Sequence, residues 1–388
     1  MRLSKKIFIF SSAAFLVILF FGVIYLFIFA PKKNSSDAQS DKTTMEKEAP
    51  IPEKKSSAQI PEEQKIEVLS DEAIISPTLT PDGQFIRYYS KSTGQAYELD
   101  FFTLKKKVIS STELSGLINI SWSPDTSKVL SEFSGGANGT KFSLYDYSQK
   151  KGTSLSENIS AVSWQNNGKM LYVYFDAARK SGSLNIANPD GSDWHKITDI
   201  SAKNLTVAPI PMSGLISFWN KPDAFSETIL QSVSPLNMEK KVLIKGFFGV
   251  DYLWSPNGSI LLESSVDKKG GSKMQLGITN SSGGEYKNLS IPTLVSKCTW
   301  SKDSKFIYYA QPNSIPENSV MPNDYMENKF NTSDTFWKIN LETGEKSRLI
   351  NLDELQTKYD ATSLFLNSSE SLLFFINKVD GKLYKLTL

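Results

Sequence analysis

The chain has 388 residues, 40% of them hydrophobic and 12% aromatic, enough apolar surface to bury a sizeable core and to exclude disorder over most of its length. Its 43 basic and 41 acidic residues leave a formal charge of +2, which excludes the strongly basic surface of a nucleic-acid binder. One cysteine, Cys298, rules out an internal disulfide, and its place in an apolar run beside Trp300 assigns it to the core.

Residues 7–30 carry no charge. As a helix this run would span a hydrocarbon layer of about 30 Å with some tilt, so it is expected to be a transmembrane signal-anchor. Arg2, Lys5 and Lys6 precede it and favour a cytoplasmic N-terminus, although Lys32 and Lys33 weaken the bias. The remainder is thus expected on the periplasmic or extracellular side of a single-pass membrane protein. A cleaved signal peptide is the rival reading, but its apolar region usually runs about 7 to 15 residues and ends at small side chains, whereas this one ends Phe27-Ile28-Phe29-Ala30-Pro31. No cysteine follows the run that could carry a lipid there.

Residues 31–64 change to Lys, Glu, Ser, Asp and Pro, with too little apolar surface to offset the entropy of ordering, and read as a disordered tether. From residue 65 to 388 short runs of β-branched, aromatic and aliphatic residues alternate with Gly, Asn, Asp, Pro and Ser, a pattern of strands and turns with no long helical period.

One stretch recurs through this region. Trp122-Ser123-Pro124-Asp125 has counterparts in Trp254-Ser255-Pro256-Asn257-Gly258 and Trp300-Ser301-Lys302-Asp303, with a looser one at Trp164-Gln165-Asn166-Asn167-Gly168. The residues before these turns, Leu79, Trp122, Trp164, Ile210, Trp254, Trp300 and Leu366, are spaced by 43, 42, 46, 44, 46 and 66. A period of about 40 to 50 predicts a β-propeller, all-β and seven-bladed, with six blades as an alternative if the poor match at Ile210 is an insertion. Four strands per period can be placed at 295–300, 306–310, 335–341 and 346–350, and again at 249–254, 259–263, 274–279 and 286–289. The last repeat offers only three, at 363–366, 372–377 and 383–388; the segment 65–70 resembles the missing fourth strand and is expected to close the ring there.

The Trp-Ser-Pro-Asp-Gly turn followed by an apolar strand resembles the WD-repeat-like propeller repeat of the TolB family. The resemblance covers residues 65–388 and rests on Thr80-Pro81-Asp82-Gly83, Trp122 to Asp125, Trp254 to Gly258 and Trp300 to Asp303; Pro209-Ile210-Pro211-Met212 and Leu366-Asn367-Ser368 depart from it. It implies a periplasmic-type propeller that binds other proteins, and it carries over no catalytic residue. A membrane segment and tether stand where that family has a separate domain.

Catalytic signals are sparse. His195 is the only histidine, so no imidazole cluster can form, and Asp193-Trp194-His195-Lys196-Ile197 reads as an outer strand. There is no Gly-x-Ser-x-Gly elbow, Walker motif, Gly-x-Gly-x-x-Gly or EF-hand loop, and no cofactor or metal is expected. A hydrolase or carbohydrate-binding propeller is the alternative, because two well-placed carboxylates suffice for a glycosidase; Asp251, Glu263, Asp267 and Glu285 are the candidates. Lys105-Lys106-Lys107 and Lys240-Lys241 open outer strands and read as edge protection. Tyr88, Tyr89, Tyr172, Tyr174, Tyr308 and Tyr309 read as packing between sheets rather than a platform for sugars. No small-molecule or glycan ligand is expected.

Function is therefore sought where the period fails. Two long connections share one face of the ring, at 220–228 and 311–334. Trp219, Pro222, Phe225, Val320, Met321, Tyr325, Met326 and Phe330 are the apolar residues expected to form a partner-binding face. The resulting expectation is a membrane-anchored, non-enzymatic propeller acting as an interaction or scaffold module, with a protein partner in the cell envelope.

Overall fold

The computed structural model describes residues 65–388; the apolar run at 7–30 and the tether at 31–64 lie outside the described residues. Seven antiparallel sheets of four strands each build a seven-bladed β-propeller. Blade 1 runs Ile74–Leu79, Phe85–Ser90, Ala96–Asp100 and Lys106–Ser110, and the order from innermost to outermost strand repeats around the ring. Blade 4, the doubtful repeat, is complete: Leu205–Pro209, Ile216–Asn220, Glu227–Val233 and Lys240–Phe248. Its turn lacks the Trp-Ser-Pro-Asp residues, yet Met212 adopts a positive φ of 53° and the Pro211 carbonyl lies against Gly258 of blade 5, where a side chain would collide with it. Tight packing of this turn on its neighbour therefore replaces the missing turn chemistry.

Closure follows the sequence reading. Ile66–Val68 pairs antiparallel with Leu383–Thr387, with Ile66 opposite Leu386 and Val68 opposite Tyr384. Blade 7 thereby gains its fourth strand from the start of the described chain and leaves the ring without an open edge. Leu69 N–H donates to the Leu383 carbonyl, beside the turn at 378–382, whereas Thr387 N–H donates to the Lys65 carbonyl at the other end of the strand. The chain thus enters the propeller at the face opposite that turn.

The repeated motif is a set of local bonds. In blade 2 the Ser123 hydroxyl donates to Asp125 Oδ1 (2.6 Å) and accepts from Lys128 N–H (2.9 Å), and Asp125 Oδ1 accepts from Ser127 N–H (3.1 Å). The hydroxyls of Ser123 and Ser127 hold the Asp125 carboxyl down to about 2. Ser301 with Asp303 and Ser255 with Asn257 repeat the arrangement. Such side-chain bonds to the chain's own backbone fix the turn. The Trp ahead of the turn ties adjacent blades together: Trp122 Nε1 donates to the Ser76 carbonyl (2.9 Å), Trp164 to Ser121 (2.8 Å) and Trp300 to Leu253 (3.2 Å), while Trp254 donates to the Ser217 hydroxyl (2.9 Å).

The core is a series of apolar wedges between neighbouring blades. Ile86, Tyr88 and Phe374 fill one between blades 7 and 1; Leu262, Trp300 and Ile307 fill another between blades 5 and 6. Cys298 lies buried in the latter. An eighth cluster, with Val266, Met274, Leu294, Met321 and Tyr325, has no counterpart in the repeat and sits beneath the long insertion of blade 6.

Candidate interaction face and its buried anchor

The insertion leaves blade 6 after Phe306–Pro312 and returns at Asp334–Asn340. Both strands run further than the apolar pattern suggests, and the intervening segment holds one helical turn, Asn323–Met326. Asp324 organises that turn: its Oδ2 accepts from Val320 N–H (2.7 Å) and its Oδ1 from Lys329 Nζ (2.7 Å).

The segment is anchored by a fully buried charge cluster. The sequence predicts a strand over 295–300, but Val295–Lys297 is a 3-10 turn and only Cys298–Trp300 is strand. That turn sends the Lys297 side chain inward. Its Nζ lies 2.6 Å from Asp334 Oδ2, 2.6 Å from Asp360 Oδ1, 3.0 Å from Thr332 Oγ1 and 3.0 Å from the Ala361 carbonyl, with all three charged side chains shut off from solvent. Tyr325, inside the insertion, donates its hydroxyl to Asp360 Oδ1 (2.6 Å). Lys378 of blade 7 donates to the Tyr325 carbonyl (2.6 Å) and sits 3.6 Å from the centre of its ring. Burial pushes Asp334 up beyond what Lys297 can offset. Burial also acts on Asp360, but Lys297, the Tyr325 hydroxyl and the Thr332 amide outweigh it and hold that carboxyl below its usual range. One ammonium facing one firmly ionised carboxylate ties together the start of blade 6, the root of the insertion and the start of blade 7. The signal that could have revealed it is Lys297, the lone charge in the otherwise uncharged stretch 294–300.

The two long connections meet. Asn323 Nδ2 donates to Asp223 Oδ1 (2.9 Å), and Asn323 Oδ1 accepts from Ala224 N–H (2.8 Å). Met321 N–H donates to the Gly271 carbonyl (2.9 Å) as the insertion crosses blade 5. Pro322 packs so closely on Gly249 that a side chain there would overlap its ring, and Gly249 holds a φ of +60° that glycine adopts at no steric cost. A continuous platform therefore runs from blade 4 to blade 7.

The eight apolar candidates divide on this platform. Trp219, Met321 and Tyr325 are buried and not at the surface, a correction with two causes: the long insertion spends Met321 and Tyr325 on its own core, and Trp219, on the strand Ile216–Asn220, packs with Tyr252 and Trp254 between blades 4 and 5. Trp219 Nε1 is held by Asp251 Oδ1 (3.0 Å). Pro222, Val320 and Phe330 are half-buried. Phe225 and Met326 remain 53% exposed, one on each loop. A cleft of about 120 Å³ opens beside them, lined by Pro222, Asp251, Ser264, Ser296, Tyr325 and Met326. Burial raises the Asp251 carboxyl in its wall, against the bonds from Trp219 and the Tyr252 amide.

Two of the candidate catalytic carboxylates, Asp251 and Glu263, do not converge. Tyr252 and Glu263 are directly paired across blade 5 and share a face, whereas Asp251 pairs with Ser264 and projects to the other. Glu263 is 1% exposed with neither oxygen hydrogen-bonded. Burial raises it to about 7. His195 opens the exposed outer strand His195–Ile200 and faces only Asp193 (3.2 Å). Among the described residues no group of three or more His, Cys, Asp or Glu is placed to hold a metal, and no helix is long and apolar enough to cross a membrane.

No protein-family model and no curated protein sequence matches the chain. Solved structures do. An oligogalacturonate lyase in complex with manganese is similar at a TM-score of 0.59 and 14% identity, over 83% of this chain and 93% of that one. An oligogalacturonate lyase from Vibrio parahaemolyticus aligns at 0.59 and 12%, over 83% and 93%. The β-propeller domain of Cps50 (Swd1) from Myceliophteria thermophila aligns at 0.54 and 10%, over 83% and 99%. At these identities the likeness establishes the propeller fold and leaves activity open.

Proposed function

We propose that this chain is a membrane-anchored, extracytoplasmic propeller that acts as a protein-interaction module of the cell envelope, binding its partner on the platform built by the loops of blades 4 and 6. One observation carries the reading: the two loops are locked to each other through Asn323 and Asp223 and hold Phe225 and Met326 half-exposed on a rigid base. Apolar anchors held in place before binding lose little conformational entropy when a partner covers them. The uncharged run at 7–30 supports the anchor, and the TolB-like turns support an envelope setting and a role without catalysis.

The test is site-specific photo-crosslinking of the full-length protein in its native membrane. A photoreactive residue at Phe225 or Met326 is expected to capture a defined partner, and one at Leu236, exposed on the opposite face, is not. With the photoreactive residue placed instead at the half-buried Val320 of the same platform, Phe225→Asp with Met326→Asp is expected to abolish the adduct while leaving thermal unfolding within a few degrees of the parent. An adduct obtained equally from all three sites, or undiminished in the double variant, would overturn the assignment.

A further inference from the structure

A second surface lies on the flank of the ring. A cavity of about 590 Å³ separates the outer part of blade 2 from blade 3, within the range of about 300 to 1,000 Å³ common for small-ligand sites. Strand pairing explains its walls. Tyr172 sits opposite Asn185, which sits opposite Lys196, and Tyr174 sits opposite Ser183. Directly opposed residues share a face, so one wall of blade 3 presents two tyrosines beside a row of polar groups. On the facing outer strand of blade 2, Lys151–Ser154, Thr153 pairs with Leu144 and shares its face toward blade 3, and Leu155 just beyond lines the cavity without closing it. Trp194, in the turn before the outer strand of blade 3, is 59% exposed at the rim.

The polar chemistry is that of an acceptor site. Asn185 is 1% exposed, donates its Nδ2 to the Ser183 carbonyl (3.0 Å) and has no partner on Oδ1. A buried amide oxygen without a bond is destabilising, which a ligand donor would relieve. Asp190 supplies a second acceptor at the rim, its carboxylate oriented by Ser192 N–H (3.0 Å) and Oγ (2.7 Å). Lys196 Nζ already faces Asp199 at 3.1 and 3.3 Å and Lys151 lies by the Asp190 carboxylate, so the lining does not favour an anion. A ligand for this cleft needs hydroxyl donors on its edge, an apolar face for Tyr172, Tyr174 and Trp194, and no negative charge. A pyranose ring meets all three conditions. A second cavity of about 190 Å³ shares Asp190 and continues past Asn188 and Gln149, giving room for a further unit.

We propose that the cleft between blades 2 and 3 binds a neutral oligosaccharide, a site independent of the loop platform. This runs against the sequence reading, in which Tyr172 and Tyr174 only pack between sheets. They do pack, since Tyr172 belongs to the core between blades 2 and 3 with Tyr174 and Leu155 against it, but both tyrosines also line the open cavity.

The test is calorimetric titration of the full-length protein, in a detergent without a sugar headgroup, with maltotriose, cellotriose and chitotriose as neutral probes and trigalacturonate as an acidic one. At least one neutral trisaccharide is expected to bind with a millimolar or tighter Kd. Trp194→Ala, at an exposed position outside the core, is expected to weaken that binding about tenfold. Asn185→Ala is expected to weaken it too, with Trp194→Ala as the variant that remains informative should the Asn185 change disturb folding. Failure of every neutral probe, binding of the acidic probe alone, or affinity unchanged by Trp194→Ala would overturn the proposal.

Discussion

Glu263 offers the sharpest quantitative test of the structure. It is buried in blade 5, both carboxylate oxygens lack a hydrogen bond, and the directly paired Tyr252 hydroxyl is likewise unbonded. Burial raises the carboxyl from 4.5 to about 7, so the folded protein holds this proton more tightly than the unfolded chain does. Its contribution to stability is fully present below about pH 4.5, falls as the pH rises toward 7, and is constant above that. At about 1.4 kcal/mol per pH unit, the gap corresponds to roughly 3 kcal/mol. Glu263→Gln keeps the shape and cannot ionise, so the stability difference between variant and parent should shift by about 3 kcal/mol in the variant's favour between about pH 4 and pH 8. Urea unfolding of both proteins across that range, followed by tryptophan fluorescence, measures the difference, and taking the difference cancels the other carboxylates. A difference that stays flat with pH would mean that Glu263 is solvated and that blade 5 does not pack as described.

Lys297→Met should destabilise the propeller by about 3–5 kcal/mol, because the Asp360 carboxylate would be left buried without its cation; adding Asp334→Asn and Asp360→Asn should recover much of that loss in chemical denaturation, and a triple variant as unstable as the single one would refute the electrostatic account. Trp300→Ala should cost about 3–5 kcal/mol through the cavity it leaves, whereas Trp122→Phe, which removes chiefly the bond to the Ser76 carbonyl, should cost about 1 kcal/mol. Replacing Ile66 and Val68 with proline should open blade 7 at its outer edge, lowering the thermal midpoint and promoting association visible by light scattering.

Architecture was legible because it depends on residues that repeat. Trp122, Trp164, Trp254 and Trp300 occur at one place in each repeat since each spans the same gap to the preceding blade, so spacing alone located the sheets. Even the closing strand could be found, because Lys65-Ile66-Glu67-Val68 has the same alternation as the outer strands of other blades. Blade 4 was obscure for the converse reason: its turn is shaped by contact between Pro211 and Gly258, and a contact across 47 positions leaves no local pattern.

The functional surfaces fall on the illegible side for the same physical reason. Apolar residues in the segment 311–334 mark it as a segment with something to cover, but the sequence does not say whether it covers a partner or itself. The answer lies in Lys297, Asp334 and Asp360, which are 26 to 63 positions apart and meet only when blades 6 and 7 are assembled. Their cluster draws Tyr325 inward and leaves Met326, its neighbour on the helical turn, outward. The flank cleft is subtler still: Leu155, Ser156, Ser183 and Asn185 are unremarkable as residues, and they line a space beside Tyr172 and Tyr174 only when blades 2 and 3 are assembled. In a propeller the repeat reports the residues that every blade needs, so specificity must be carried by those that single blades gain, as in the anchored loop, or lose, as in the unfilled gap between blades 2 and 3.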